Sequence, residues 1–160
     1  MRRMLCVFAT FICFTGCQAM HKARLKIDIQ LLNAADNGDD AELVKRILLK
    51  GADINVRNKH EETALIISAR KNYFKVMQHL LRAAKINVNA QNCYNETALM
   101  HATAHENYQA VQLLLDSGAQ TNLENKDEET AYQLAKKYEY PKIAALLTCK
   151  KDRGYTLCEN

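Results

Sequence analysis

A chain of 160 residues, 48% apolar and 25% charged, has the length and the balance of one ordinary soluble domain. One proline and five glycines argue against a loop-rich or disordered chain. The formal charge of +4 is small and the basic residues are scattered, which argues against nucleic-acid binding.

The first sixteen residues have the pattern of a secretory signal. A basic start at Arg2 and Arg3 precedes an apolar run from Met4 to Thr15, and small residues follow. The run is too short to cross a bilayer as a helix. A buried N-terminal helix is the alternative, but the run lacks an amphipathic period. We therefore expect residues 1–16 to be removed.

The end of this run resembles the bacterial lipoprotein signal, in which an apolar residue, a small residue and Gly or Ala stand directly before a cysteine. The matching residues are Phe14, Thr15, Gly16 and Cys17. The resemblance implies cleavage before Cys17 and acylation of that cysteine, which anchors a chain to a membrane. Gln18 is not the aspartate associated with inner-membrane retention, so the outer membrane, facing the periplasm, is expected. Cleavage after Ala19, which would release a secreted protein, is the alternative.

The phrase Glu-Thr-Ala occurs three times, and the rest of the chain is organised around it. Its threonines, Thr63, Thr97 and Thr130, are 34 and then 33 residues apart. A fixed period of this length is the signature of a solenoid built from repeats. Each threonine is placed to cap the first turn of a helix with its hydroxyl group.

Each repeat is predicted to contain two helices. Apolar side chains at helical spacing follow every threonine, and a second apolar face lies further on, as at Leu80 and Leu114. Gly51 and Gly118 stand where the end of a helix favours a left-handed residue. Ala84 takes that place in the second repeat, which has one extra residue, so we expect a locally irregular turn there.

The repeat pattern is similar to that of the ankyrin family, which opens with Thr-Pro-Leu-His and closes with Gly-Ala-Asp-Val-Asn. Residues 50–55, Lys-Gly-Ala-Asp-Ile-Asn, nearly match the closing phrase. Alanine replaces the opening proline, and the histidine is replaced by Ile66, Met100 and Gln133, which calls into question the hydrogen bonds that this histidine makes between repeats. The resemblance covers residues 30–148 and implies an all-α ankyrin-repeat solenoid of about four helix-turn-helix units with short β-hairpin fingers.

These features divide the chain into four segments. A signal peptide (1–16) is followed by a tether (17–29), by the ankyrin-repeat domain (30–148) and by a C-terminal tail (149–160). The repeats are predicted at about residues 30–58, 59–92, 93–125 and 126–148. Ordering one repeat costs more free energy than its own apolar side chains return on burial, so neighbouring repeats must stack to be stable.

The histidines and Cys93 do not form a recognisable reaction centre. His101 and His105 are four residues apart on a helix, a spacing that suits a metal ion, but no third and fourth ligand follow at fixed spacing. Cys93 has only His60 as a candidate base for nucleophilic catalysis. No enzyme activity, metal or other cofactor is therefore predicted.

Two cysteines, Cys149 and Cys158, flank a short segment near the C-terminus that contains a turn signal. A disulfide that closes this small loop would suit the oxidising periplasm, and we predict one between them. Two free thiols on a frayed tail are the alternative.

Binding residues are predicted among the side chains that the fold does not require. Those at the finger tips are Lys59, His60, Glu61, Cys93, Tyr94, Asn95, Lys126, Asp127 and Glu128. Those on the inner helices are Arg70, Lys71, His101, His105 and Tyr138. Tyr94 and Arg70 are the leading candidates, because aromatic residues and arginine dominate the energetics of protein interfaces.

The function predicted from these features is that of a non-enzymatic protein–protein interaction module. It is expected to be a monomer, held in the bacterial envelope by a lipid at Cys17, that binds a partner protein through its concave face and hairpin tips. One alternative is an immunity or inhibitor protein that neutralises a secreted toxic enzyme. Another is a secreted ankyrin effector that acts on host proteins.

Overall fold

Eight helices account for most of the part of the chain that can be described. The computed structural model describes residues 22–38 and 41–151, with only the backbone of residues 149–151. Helix α1 covers residues 22–37. The other helices are α2 (Ala41–Leu49), α3 (Ala64–Arg70), α4 (Phe74–Leu81), α5 (Ala98–Ala104), α6 (Tyr108–Asp116), α7 (Ala131–Lys137) and α8 (Pro141–Lys151).

The helices stack in two rows. Helices α3, α5 and α7 pack side by side in an inner row, and α2, α4, α6 and α8 pack in an outer row. One hydrophobic core runs between the rows and includes Leu31 of α1. Leu80 and Leu114 of the outer row are fully buried in this core. The all-α repeat solenoid predicted from the sequence is confirmed.

The three predicted threonine caps are present at the start of the inner helices. Oγ1 of Thr63, Thr97 and Thr130 accepts the backbone N–H three residues further on, at 3.3–3.4 Å. The third cap is reciprocal, because Oε1 of Gln133 accepts the N–H of Thr130 at 2.6 Å. Gln133, which stands where the family has a histidine, thus helps to cap the N-terminus of α7.

The three connections that precede the inner helices form the fingers: finger 1 (57–63), finger 2 (91–97) and finger 3 (124–130). Fingers 1 and 3 are each closed by one isolated antiparallel bridge, between Arg57 and Thr63 and between Glu124 and Thr130. No extended strand occurs in the described ranges. The hairpins are therefore tight turns, whose shape depends on side-chain hydrogen bonds.

The irregular turn expected after α4 is present. Its left-handed residue is Lys85, with φ of 69°, four residues after Leu81. Gly51 and Gly118, with φ of 88° and 90°, follow their helices by only two residues. The extra residue of the second repeat therefore moves the left-handed position from Ala84 to Lys85.

The first helix includes residues that the sequence assigned to a tether. Residues 22–29 are helical and continuous with residues 30–37. Asp28 is buried, and its carboxylate accepts the backbone N–H of Asp53 at 2.7 Å. Ile27 packs against the core. The tether prediction is corrected over residues 22–29, because these contacts hold that stretch in the folded unit.

Several predictions concern residues outside the described part of the chain. They are the signal peptide (1–16), acylation of Cys17, and a disulfide between the side chains of Cys149 and Cys158. Helix α8 continues to Lys151, past the boundary predicted at residue 148. Within the described ranges, no helix combines the length and the apolar character needed to cross a bilayer.

Candidate functional site

Each finger is built around one asparagine: Asn58, Asn92 or Asn125. The side-chain oxygen of each accepts the backbone N–H groups two and four residues further on, at 2.8–3.0 Å. The asparagine's own N–H donates to the carbonyl four residues on, at 3.0–3.1 Å. The apolar pattern of the repeats does not point to these asparagines, although their recurrence five residues before each threonine is a usable signal.

The tip of every finger contains a residue with a left-handed backbone. Glu61, Asn95 and Glu128 have φ of 60°, 59° and 59°. Residues other than glycine adopt this conformation at an energetic cost, so the asparagine hydrogen bonds must hold it. The two residues before each left-handed position therefore lie at the outermost point of a fixed turn.

Backbone hydrogen bonds connect the fingers to one another at their tips. The carbonyl of His60 accepts the N–H of Cys93 at 3.0 Å. In the same way, the carbonyl of Tyr94 accepts the N–H of Lys126 at 3.0 Å. The tips therefore form one continuous row, in which each finger is positioned by the next.

Side chains at the base of the fingers make a second connection. Nη1 of Arg57 donates to the carbonyl of Gln91 at 2.7 Å. Nε2 of Gln91 donates to the carbonyl of Glu124 at 3.1 Å. These three residues occupy equivalent positions in successive fingers, and together with the tip bonds they fix the spacing of the row.

Most of the predicted tip residues are exposed, namely Lys59, His60, Glu61, Tyr94, Asn95, Lys126, Asp127 and Glu128. Tyr94 is 59% exposed, and Nζ of Lys126 lies 5.9 Å from the centre of its ring, a cation–π contact. Cys93 is half-buried and has no disulfide partner among the described residues. The fingers thus present a varied set of polar and aromatic side chains on a fixed backbone.

Two ion pairs lie where the fingers meet the inner helices. Nε of Arg70 is 2.9 Å from Oε1 of Glu62, and Nζ of Lys137 is 2.6 Å from Oε1 of Glu129. The hydrogen bond from Lys137 lowers the pKa of Glu129, and the same contact raises the pKa of Lys137. Both pairs join a carboxylate to a basic residue eight positions later, so they are equivalent features of two repeats.

Arg70 and Lys71 also connect the second repeat to the first. Nζ of Lys71 lies 3.5 Å from a carboxylate oxygen of Asp36, and Nη2 of Arg70 lies 3.9 Å from it. Nε2 of His105 donates to the carbonyl of Arg70 at 2.6 Å. These predicted binding residues are therefore partly exposed and already engaged within the fold.

His101 lies deeper than the other predicted contact residues. Its side chain is only 13% exposed, and Nε2 is 3.3 Å from a carboxylate oxygen of Glu96. Burial is the main cause that lowers the pKa of His101, and the charge of Glu96 opposes it. The imidazole is therefore neutral near pH 7, and little of its surface is available to a partner.

The two histidines have different contact partners. His105 faces a backbone carbonyl and His101 faces Glu96. In the described ranges, no group of three histidine, cysteine or acidic side chains converges as metal ligands do. The four-residue spacing of this pair is thus used for two separate contacts.

A groove of about 510 Å³ lies between α1, finger 1 and α3. Its apolar part is formed by Ile29, Leu32 and Ile67. Its charged and polar lining is formed by Asn33, Asp36, Arg57, Asn58, Lys59, His60, Glu62 and Arg70. The groove continues the surface of the fingers toward the first repeat.

Tyr138, the last of the predicted binding residues, lies at the opposite end of the stack, directly after α7. It is 45% exposed, and its ring lies 6.0 Å from that of Tyr140.

Comparison with known proteins agrees with this geometry. The chain is similar to alpha-latrotoxin-Lg1a of Latrodectus geometricus, with 27% identity over 143 residues, which is 88% of this chain and 10% of the toxin. It is 31% identical over 129 residues to a transient receptor potential cation channel subfamily A member 1 homolog of Caenorhabditis elegans, covering 76% of this chain and 11% of the channel.

A third similar protein is the ankyrin repeat protein YahD of Escherichia coli, 32% identical over 114 residues, covering 68% of this chain and 57% of that protein. The chain thus spans a small part of the two large proteins and just over half of the third. The sequence model of ankyrin repeats, in three copies, matches residues 31–125. Because this match covers more than half of the chain and coincides with the stacked helices and fingers, the chain belongs to the ankyrin-repeat family.

Proposed function

We propose that this chain is a non-enzymatic interaction module that binds a partner protein through its fingers and inner helices. The single observation that carries the proposal is the row of finger tips joined by backbone hydrogen bonds. A surface whose backbone is already fixed loses little conformational entropy when a partner binds, and this favours affinity. Most side chains on that row are exposed and are not required for the core.

Tyr94 is the central contact in this proposal. It stands on the middle finger, it is 59% exposed, and the ammonium group of Lys126 lies over its ring. Tyrosine offers a large, stiff, amphipathic surface, and such residues concentrate binding energy near the centre of interfaces. Arg70 is the second contact, since its side chain is 39% exposed beside its ion pair with Glu62.

The test is capture of partners from cell-envelope extracts, followed by an affinity measurement with purified variants. We expect Tyr94→Ala to weaken binding by about 2 kcal/mol, or roughly thirtyfold, as central aromatic contacts do. Tyr108→Ala is the matched control, because Tyr108 is also exposed but begins α6, at the end of its repeat away from the fingers. Equal binding by the parent, Tyr94→Ala and Arg70→Ala would refute the proposed surface.

Anchoring in the bacterial envelope is the second part of the proposal, and the lipoprotein-like residues from Phe14 to Cys17 support it. Two acyl chains on one cysteine are enough for stable attachment. Metabolic labelling with a fatty acid should mark the parent and leave Cys17→Ser unmarked. Absence of label in the parent would remove the anchor and favour the secreted alternative.

A further inference from the structure

The three repeats that carry a finger allow a comparison of one carboxylate in three copies. Glu62, Glu96 and Glu129 are equivalent, each placed directly before a capping threonine. One oxygen of the first two carboxylates, Oε2, accepts the side-chain amide of the finger asparagine, at 2.8 Å for Glu62 and 2.9 Å for Glu96. This oxygen is therefore used by the finger itself.

The other oxygen distinguishes the repeats. Oε1 of Glu62 accepts Arg70, and Oε1 of Glu129 accepts Lys137. The equivalent position of the middle repeat is Ala104, which has no group to donate. Among the residues that the structure describes, Oε1 of Glu96 has no hydrogen-bond or ion-pair partner.

The exposure of the three carboxylates follows this difference. The side chain of Glu62 is 9% exposed and that of Glu129 is 21% exposed, each beneath its basic partner. The side chain of Glu96 is 34% exposed. The middle of the inner surface therefore contains a partly exposed carboxylate at the place where both neighbouring repeats have a basic side chain.

His101 does not fill this place. It approaches the opposite oxygen, Oε2, at 3.3 Å, from a position that is apolar in the neighbouring repeats, where Ile67 and Leu134 stand. Burial lowers the pKa of His101, so its ring is uncharged near pH 7 and leaves the charge of Glu96 in place. The nearby cations of Arg70 and Lys137 are each paired with the carboxylate of their own repeat.

We propose that the space between Glu96 and Ala104 receives an arginine or lysine side chain of the partner protein. That side chain takes the position that Arg70 and Lys137 occupy in the neighbouring repeats, and it forms a third ion pair equivalent to theirs. The inference rests on the proposed partner-binding function and adds the chemistry of the partner at the centre of the surface. The chain supplies its own two examples of the contact, one with a guanidinium and one with an ammonium group.

The test uses a small probe and does not depend on knowing the partner. The peptide acetyl-Gly-Arg-Gly-amide is titrated into the full chain, and the backbone amide signals of residues 96–104 are followed by NMR. The citrulline peptide, which has the same shape and no charge, is the control ligand. We expect shifts that grow with the concentration of the arginine peptide and are about fivefold smaller with the citrulline peptide at equal concentration, the range of one solvent-accessible ion pair.

Two variants locate the contact. Glu96→Gln removes the charge, and Ala104→Lys supplies the missing cation from the chain itself, so both are expected to weaken binding of the arginine peptide about fivefold. Ala104→Lys keeps Glu96 and its finger hydrogen bonds intact, so a folding defect in Glu96→Gln does not decide the test. Glu128→Gln, which removes an exposed carboxylate from the next finger, should bind as the parent does.

Equal shifts with the two peptides, or unchanged binding in Ala104→Lys, would overturn the proposal. The proposed function has a separate readout, the dependence of partner capture on Tyr94. If partner capture depends on Tyr94 while the peptide does not bind at Glu96, only the inference about the basic side chain falls. If the peptide binds at Glu96 and no partner depends on Tyr94 or Arg70, only the proposed surface falls.

Discussion

Replacing His101 with leucine is expected to make the protein more stable. The equivalent residues of the neighbouring inner helices, Ile67 and Leu134, are buried and apolar. His101 occupies the same place with a side chain that is 13% exposed. Its Nε2 atom is buried without a hydrogen bond to any described residue, although Glu96 is near. A leucine side chain is close in size and makes no such demand.

The magnitude follows from the buried nitrogen. A buried polar atom without a partner costs about 1–3 kcal/mol, and a leucine adds apolar burial, while imperfect packing subtracts part of the gain. We therefore expect the free energy of unfolding of His101→Leu to exceed that of the parent by about 1–2 kcal/mol near neutral pH. His60→Leu changes an exposed histidine at a finger tip in the same way and should give no such gain.

The advantage of the variant should widen in acid. The pKa of His101 in the folded chain is lowered from its ordinary value of 6.5, chiefly by burial and further by Arg70 and His105, against the charges of Glu96 and Glu62. As the pH falls below 6.5, the unfolded chain takes up a proton that the folded chain still excludes. The parent therefore loses stability by up to about 1.4 kcal/mol per pH unit until the lowered folded pKa is reached.

Urea unfolding of the two proteins at about pH 7.5 and about pH 5.5 measures both effects, with circular dichroism as the signal. Above pH 6.5 the histidine is neutral in both the folded and the unfolded parent, so its protonation does not affect stability there. Below pH 6.5 the parent loses stability toward acid, whereas leucine does not titrate. A variant that is less stable than the parent at neutral pH would refute the assignment of the buried nitrogen. A difference between parent and variant that stays constant with pH would refute the linkage to protonation.

Three further changes test the scaffold by urea unfolding. Leu114→Ala should lower the free energy of unfolding by about 2–5 kcal/mol because the side chain is fully buried. Leu49→Ala, at a residue 79% exposed, should change it by less than about 0.5 kcal/mol, and equal stability of the two variants would contradict the assigned core. Lys85→Gly should raise the free energy of unfolding by about 1 kcal/mol, because glycine adopts the left-handed backbone at this position without strain. Ala84→Gly is the control and should give no gain, so equal effects of the two changes would argue against backbone strain at Lys85. Asn92→Ala removes two hydrogen bonds to the backbone and one to a carboxylate in finger 2, so it should lower the free energy of unfolding by about 2 kcal/mol. Unchanged stability would show that these bonds do not hold the finger.

The scaffold could be predicted because its determinants are local and repeated. A threonine before an apolar helical pattern predicts a cap wherever it occurs, and Thr63, Thr97 and Thr130 all make one. The stacking of helices follows from the same period, since a single repeat cannot cover its own apolar face. Repetition also averages out the local errors that affect a single pattern.

Contacts between repeats were harder to predict. Arg57 meets Gln91, a partner 34 residues away, and Asp28 meets Asp53 across the first helix pair. Such pairs depend on how the units are placed against one another, and nothing in the local sequence indicates them. The burial of His101 could be predicted from the alignment of the repeats, in which it matches Ile67 and Leu134. A histidine on a short helix is nevertheless more readily expected to be exposed.

The finger architecture separates the residues that set shape from the residues that set specificity. Asn92 and Thr97 fix the turn of finger 2, and the backbone groups of Cys93 and Tyr94 join it to its neighbours. The side chains of Cys93, Tyr94 and Asn95 take no part in those bonds, whereas the carboxylate of Glu96 accepts the side-chain amide of Asn92. Substitutions at the side chains of Cys93 and Tyr94 can therefore change what is recognised while the backbone of the finger is kept.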